Sequence, residues 1–187
     1  MLQTSSMDGD QDLLETLETE RLRLRCVRPG DANSVSSLMT PEVSRWLISW
    51  PVPFTKEMAE ERIASARHGV AEGTILPFAI ERRSDGAFLG WLSVTHIAER
   101  RALLSYWLGE EHHGQGYMRE AVTVAIGEAF RLLDVDVIEA AAQPSNGPSL
   151  ALLRRCGMSP LGERMIFAPA RGRNERCVVL ELLRLGP

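Results

Sequence analysis

Cysteine is scarce: only Cys26, Cys156 and Cys177 occur among 187 residues, and no two of them form a Cys-x-x-Cys pair. Their odd number and wide spacing exclude a disulfide framework and the common zinc-ligand patterns, so no metal is expected and a reducing cytoplasm fits best. Also missing is any run of about 18 apolar residues, the length a membrane helix needs. The N-terminus has no basic segment followed by an apolar one, so neither a membrane span nor a secretory signal is expected. Positive charge is in deficit as well, with 21 Lys and Arg against 25 Asp and Glu and a formal net charge of -4. Non-specific nucleic-acid binding works by counterion release from a cationic patch, so nucleic acid is not an expected partner.

What is present supports one domain. At 187 residues and 44% hydrophobic, the chain can bury one sizeable core and is too short for two comfortable ones. Residues 1–16 are polar and acidic, with Ser5-Ser6 and Asp8-Gly9-Asp10, and are expected as a disordered tail, leaving 17–187 as the domain. Leu22, Leu24 and Cys26 alternate with arginines at the period of a half-buried strand. Asp31 or Asn33 is the expected cap of a helix carrying Val35, Leu38 and Met39, ended by Pro41. An aromatic and proline-dense stretch, Arg45 to Phe54, precedes a second helix capped by Thr55 and reaching about His68.

Leu76 to Glu81, Ala87 to Ile97 and Ala102 to Leu108 read as three antiparallel strands joined by Ser84-Asp85-Gly86 and Glu99-Arg100-Arg101 turns. Met118, Ala121, Val122, Ala125, Ile126, Ala129, Phe130 and Leu133 then share one face of a helix, and Val135 to Ala142 is an apolar run of strand length. Strand, helix, strand in that order implies a right-handed crossover to a parallel neighbour. Pro148 suits the first turn of a further helix and Gly157 its C-terminal cap. Leu161 to Phe167 and Cys177 to Leu183 read as a final hairpin. The fold class is therefore α/β, a mixed and mostly antiparallel sheet.

The chemistry is expected in the run His112 to Ala121. Gly114 and Gly116 let the backbone turn tightly, and a helix starting at about Tyr117 aims its unpaired amides at the same point. The result is an anion cradle suited to a pyrophosphate. A dinucleotide fingerprint needs a third small residue where Arg119 stands, and a Walker loop needs a Gly-Lys-Ser/Thr that does not follow, so both are excluded. The cradle falls at the carboxyl end of the strand finishing near Leu108, beside the strand finishing near Ala142, where open α/β sheets bind ligands.

The segment His113-Gly114-Gln115-Gly116-Tyr117-Met118 resembles the acyl-CoA-binding signature of the GNAT superfamily of N-acetyltransferases, Arg/Gln-x-x-Gly-x-Gly/Ala. His113 and Met118 depart from it. Asn146 and Ser149, followed by a helix ending in Gly157-Met158, resemble the family's second motif, with Met158 replacing Phe. The phrase Thr19-Glu20-Arg21-Leu22-Arg23-Leu24-Arg25, followed by Pro29-Gly30-Asp31, is similar to the opening of the ribosomal-protein (RimJ/RimL-like) branch. The resemblance spans about Leu17 to Leu183.

This resemblance implies a central parallel strand pair splayed to hold acetyl-CoA, and acetyl transfer to a primary amine by direct attack in a ternary complex. The implied acceptor is a protein N-terminal amine; a small amine such as an antibiotic or polyamine, or a non-catalytic acyl-CoA-binding module, are the alternatives. His113 and the amides of Gly114, Gln115, Gly116, Tyr117 and Met118 are expected to hold the pyrophosphate. Tyr106, Trp107 and Leu108 are expected to pair with the pantetheine arm, with a backbone N–H near Leu108 facing the oxyanion, and Asn146 to bond the arm or serve only as a helix cap. Many members carry a proton-donating tyrosine on the helix after the second motif. This helix has none, the only tyrosines being Tyr106 and Tyr117, so Ser149 is the substitute donor or else satisfies the helix's first amides. Trp46 and Trp50 wall the acceptor pocket or simply pack.

The general base is left open between Glu139, Glu163 and a water relay, with His96 a minor catalytic candidate. Arg164, Arg171, Arg173 and Arg176 either form a solvated region or recognise an acidic acceptor or the cofactor's 3′-phosphate. A homodimer is left open. The whole reading requires the cradle amides to be free of protein partners and open to solvent.

Overall fold

The computed structural model describes residues 13–184, so most of the expected N-terminal tail lies outside the described residues. Within that stretch, Leu14 already packs against the core and Glu15 reaches Arg131 at 3.5 Å.

Among the described residues eight strands form one sheet in the order β1-β2-β3-β4-β5-β6-β8-β7. They are β1 (Leu17–Glu18), β2 (Leu22–Cys26), β3 (Ile75–Arg82), β4 (Phe88–Ala98), β5 (Arg101–Leu108), β6 (Val137–Ala142), β7 (Ser159–Ala168) and β8 (Arg173–Leu183). Five α-helices accompany them: α1 (Ala32–Leu38), α2 (Pro41–Ser44), α3 (Lys56–Ala71), α4 (Tyr117–Leu132) and α5 (Gly147–Arg155). None is long and apolar enough to cross a membrane.

The central strands are apolar at both parities because both faces are covered. Phe78, Ile80, Leu92, Val94 and Leu104 join Met118, Ala121, Val122 and Ala125 of α4 in one core. Ala79, Trp91 and Trp107 join Val35, Trp50, Phe54, Ala59 and Ile63 in a second core under α1 to α3. The apolar stripe expected on the cradle helix is thus its buried face.

All neighbouring strands are antiparallel except β5 and β6, which pair in parallel only at Arg101 to Leu103 against Val137 to Glu139. Beyond that point β5 follows β4 up to Leu108, while β6 follows β8 up to Ala142 against Val178. The two strands therefore diverge. The last residue of the short parallel ladder, Glu139, is held by Arg101 of β5 and by Arg164 of β7 at 3.4 Å, which closes the base of the splay.

Three local expectations change. Asp31 precedes α1, but its carboxylate makes no side-chain cap there; it binds Arg25 at 2.7 Å and the Arg28 N–H at 2.7 Å instead. Arg25, which alternation placed outside, is buried because Glu81 joins Asp31 as a second counter-charge at 2.6 Å. Pro41 does not simply end a helix: it opens α2, whose cap Thr40 accepts from the Val43 N–H at 3.3 Å. A proline costs nothing in a first turn, where its missing N–H has no partner anyway. Thr55 caps α3 as expected, accepting from the Met58 N–H at 3.3 Å.

Candidate active site

The cradle is built by two left-handed glycines. Gly114 has φ 73° and Gly116 φ 81°, a region where a Cβ meets the neighbouring carbonyl. The first intrahelical bond of α4 is Glu120 N–H to Gly116 O at 3.2 Å. Among the described residues, none of the backbone amides from Gly114 to Arg119 donates to a protein acceptor. Gly114, Gln115 and Gly116 are exposed. The loop from Gly114 to Gly116 is thus exposed with no protein acceptor for its amides, whereas Tyr117 and Met118 are buried, and Met118, where the signature has a small residue, turns its side chain into the core.

The opening phrase of the domain clasps this helix. Glu120 accepts from the Thr19 hydroxyl at 2.5 Å, the Arg21 N–H at 2.9 Å and the Arg21 guanidinium at 2.8 Å. Burial works against its charge, but these bonds outweigh it and hold the carboxyl below the ordinary glutamate range. Arg21 also lies 4.7 Å over the Tyr117 ring and donates to Gln115 O at 2.9 Å. A carboxylate in the first turn would compete with a bound anion; Arg21 offsets it. His113 donates from Nε2 to Leu108 O at 3.0 Å, tying the loop to the end of β5. Beside it His112 is buried, which pushes its pKa down.

The direction of the β5 backbone follows from one bond. Gly109 N–H donates to Leu89 O at 2.9 Å, so by antiparallel alternation Gly90 opposite Leu108 is a non-bonded pair. The amides of Tyr106 and Leu108 therefore point away from β4, into the space β6 has left. Trp107, grouped with them in the sequence, instead turns its backbone to Trp91 of β4, and its contribution is its ring.

Across the splay stands the start of α5. Asn146 Oδ1 accepts from the Ser149 N–H at 3.2 Å, so Asn146 is the helix cap. Ser149 does not cap; its hydroxyl lies 2.7 Å from that of Tyr106. Burial pushes the Tyr106 phenol up to about 12, against the Ser149 hydrogen bond, which pulls the other way. This hydroxyl pair was not anticipated, since Tyr106 had been considered for its backbone.

A cleft of about 1140 Å³ joins these parts, running from the cradle past Tyr106, Leu108 and Ser149 to Trp46 and Trp50. Trp50 is only 7% exposed and packs with Phe54, Trp91 and Trp107 at ring centroid separations of 5.0, 5.6 and 5.4 Å. It is a core residue that also lines the cleft. Trp46 is half-buried under Arg45 at 4.7 Å.

The side-chain candidates for the general base are paired with arginines, and His96 lies away from the cleft. The Glu139 carboxylate is taken by Arg101 and Arg164. Glu163 is on the outer strand, 3.6 Å from Arg176. His96 is exposed at the strand end and does not line the cleft. Of the arginines near the last hairpin, Arg164, Arg173 and Arg176 have side chains 55%, 70% and 65% exposed, but Arg171 is 20% exposed. Arg171 is neither solvated nor a ligand group: it holds Glu175 at 2.7 and 2.8 Å and donates to Leu47 O at 2.9 Å and Ser44 O at 3.3 Å, anchoring the Trp46 segment. Among the described residues no three His, Cys, Asp or Glu side chains converge as a metal site.

Residues 21–159 match the family model described as an acetyltransferase (GNAT) domain. The chain is 31% identical over 175 residues to the uncharacterized N-acetyltransferase p20 of Bacillus licheniformis, covering 91% of this chain and 97% of that one. Among solved structures it resembles Mycobacterium smegmatis RimJ in complex with CoA-disulfide, with a TM-score of 0.76 and 25% identity over 87% of this chain and 81% of that one. A TM-score of 0.80 relates it to the Salmonella typhimurium acetyl transferase that modifies the N-terminal serine of 50S ribosomal subunit protein L7/L12, at 18% identity over 91% and 100% of the two chains.

Proposed function

Since this chain belongs to the GNAT family and is an acetyl-CoA-dependent N-acetyltransferase, we propose that its acceptor is the N-terminal amine of a protein, acetylated directly in a ternary complex. The observation that carries the reading is the cleft itself. Unpartnered amides from Gly114 to Arg119 and the outward amide of Leu108 open into one space with the Trp46 and Trp50 wall.

Acetyl-CoA brings the activated thioester; the chain supplies binding, orientation and proton handling. The cradle amides bind the diphosphate at the positive end of α4. Tyr106 and Leu108 offer backbone groups along the splay as an added strand would use them, and the Asn146 amide nitrogen remains available for the same arm. The Leu108 N–H serves as the preorganised donor to the carbonyl oxygen. Ser149 passes its hydroxyl proton to the departing sulfur and regains one along its 2.7 Å contact with the Tyr106 hydroxyl, which is replenished in turn by the cleft water that takes the amine's proton, so both hydroxyls end the cycle protonated. Because Asn146 already caps α5, the Ser149 hydroxyl is free for this work. With Glu139 and Glu163 engaged elsewhere, the amine loses its proton to ordered water in the cleft.

The Salmonella enzyme, whose name gives an N-terminal serine of a ribosomal protein as its target, supports a protein amine over a small one. The three free cysteines suit a reducing cytoplasm. To test the reading, the protein is incubated with acetyl-CoA, a thiol reagent and matched panels of peptides and small amines. Thiol release with peptides carries it. Release only with small amines, or CoA binding without release from any acceptor, rejects it.

A further inference from the structure

Three arginines line this cleft without a side-chain role in the reaction above, Arg62, Arg119 and Arg155, and of these Arg62 on α3 is the one seated on the Trp50 ring of the acceptor wall. Its guanidinium lies 4.1 Å from the Trp50 ring centroid and 5.7 Å from that of Phe54. One of its five N–H donors goes to Ser49 O at 2.6 Å. No carboxylate among the described residues pairs with it. That is unusual for a half-buried charge in this chain: Arg25 has Asp31 and Glu81, and Arg171 has Glu175. None of its nitrogens is sealed off without a partner, so its remaining donors are reachable, and Arg62 lines the cleft.

The surroundings point the same way. A buried ion left without a counter-charge carries a desolvation cost, and burial accordingly pulls the Arg62 pKa down. Hydroxyls of Ser65, Ser93, Thr95 and Ser105 line the same cleft, while Glu72 is its one carboxylate among the described residues and is engaged by His68 at 3.2 Å. A second orphan donor, the indole N–H of Trp107, is buried in the same aromatic cluster. The acceptor face is rich in donors and poor in negative charge.

We infer that the acceptor carries a carboxylate close to its amine, received by the Arg62 guanidinium on the face of Trp50. This rests on the acetyltransferase reading above; a peptide source agrees with the protein acceptor proposed there, and an amino-acid source would replace that acceptor while keeping the acetyl transfer. The carboxylate belongs either to an acidic residue at the start of a peptide or to the main chain of a free amino acid. An Arg-carboxylate contact is charge-assisted and, where bidentate, selective against neutral isosteres.

The test compares peptides with Asp or Glu at the second position against their Asn and Gln isosteres, and free amino acids against their amides. Each pair is assayed with the native protein, Arg62→Gln and Arg62→Lys. The native protein is expected to favour the acid of one pair by about tenfold in kcat/KM, expressed in KM. Arg62→Gln brings that ratio to about one, and Arg62→Lys retains part of it. Whichever pair shows the preference identifies the source of the carboxylate. A native ratio of one overturns the inference, as does a ratio that survives in Arg62→Gln; damage to the fold lowers both rates and leaves the ratio intact. Should Arg62→Gln not fold, the native ratio and Arg62→Lys decide. Bound CoA with no release from any acceptor overturns the parent reading, a result distinct from equal rates.

Discussion

The hydroxyls of Tyr106 and Ser149 meet at 2.7 Å across the gap between β5 and the start of α5. Neither is committed elsewhere in the described fold: Asn146 does the capping, and no other side chain hydrogen bond is made by either hydroxyl. A hydroxyl pair with no further side-chain partner therefore stands at the N-terminus of α5, whose partial positive charge would favour a thiolate.

Ser149→Ala is expected to lower kcat by about a hundredfold, the lower range for a lost general acid, while KM for acetyl-CoA moves little. Tyr106→Phe is expected to cost less, about tenfold, since Ser149 keeps its own proton. The double variant should fall well short of the product of the two losses, because both act on one proton. Steady-state kinetics with both substrates varied measures all three; a fully additive double variant would remove Tyr106 from the path.

Gly116→Ala places a Cβ at φ 81°, which costs about 1–2 kcal/mol for a non-glycine residue. The loop must then shift or the helix lose its first turn. Affinity for CoA, read by calorimetry, is expected to fall about tenfold or more, with a lower melting temperature. Space alone would permit the change, as the nearest atom is the flexible end of Arg21 at 3.4 Å. An unchanged affinity would mean that the amides of this loop do not hold the cofactor.

Glu175 on β8 accepts from Arg171 in the turn between β7 and β8, from Arg173 on its own strand and from Gln143 just after β6. Arg171 and the other hydrogen bonds hold its carboxyl down at about 2, against an ordinary 4.5. A depressed carboxylate contributes stability in full above about 4.5, and loses it as pH falls from there towards 2. Glu175→Gln is expected to destabilise by about 1–2 kcal/mol at neutral pH, after allowance for solvent screening of the arginines. Its denaturation midpoints should fall less steeply than those of the native protein between pH 4.5 and 3. Parallel acid limbs for the two proteins would deny Glu175 this role.

The glycine turn before α4, the order of the longer strands and helices, and the family were legible without coordinates; the short helix α2 was not. Backbone chemistry of that kind is set by neighbours in the chain: Gly114 and Gly116 permit the turn, apolar residues three and four apart commit α4 to burial, and strand-helix-strand order dictates a parallel pair. Thr19 and Arg21 belonged to a recognisable phrase, yet their work, clasping Glu120, is a contact across about a hundred residues.

Tertiary structure alone decided which side chains are engaged and which are left free. The short parallel ladder sets Arg101 beside Glu139. The hairpin folds Arg171 onto Glu175 and the carbonyls of Ser44 and Leu47. Contacts between distant elements pair the Tyr106 hydroxyl with Ser149 and seat Arg62 on the Trp50 ring. A side chain's partner is fixed by which strands lie adjacent and where two of them part, and that geometry depends on the packing of the whole sheet rather than on any local pattern.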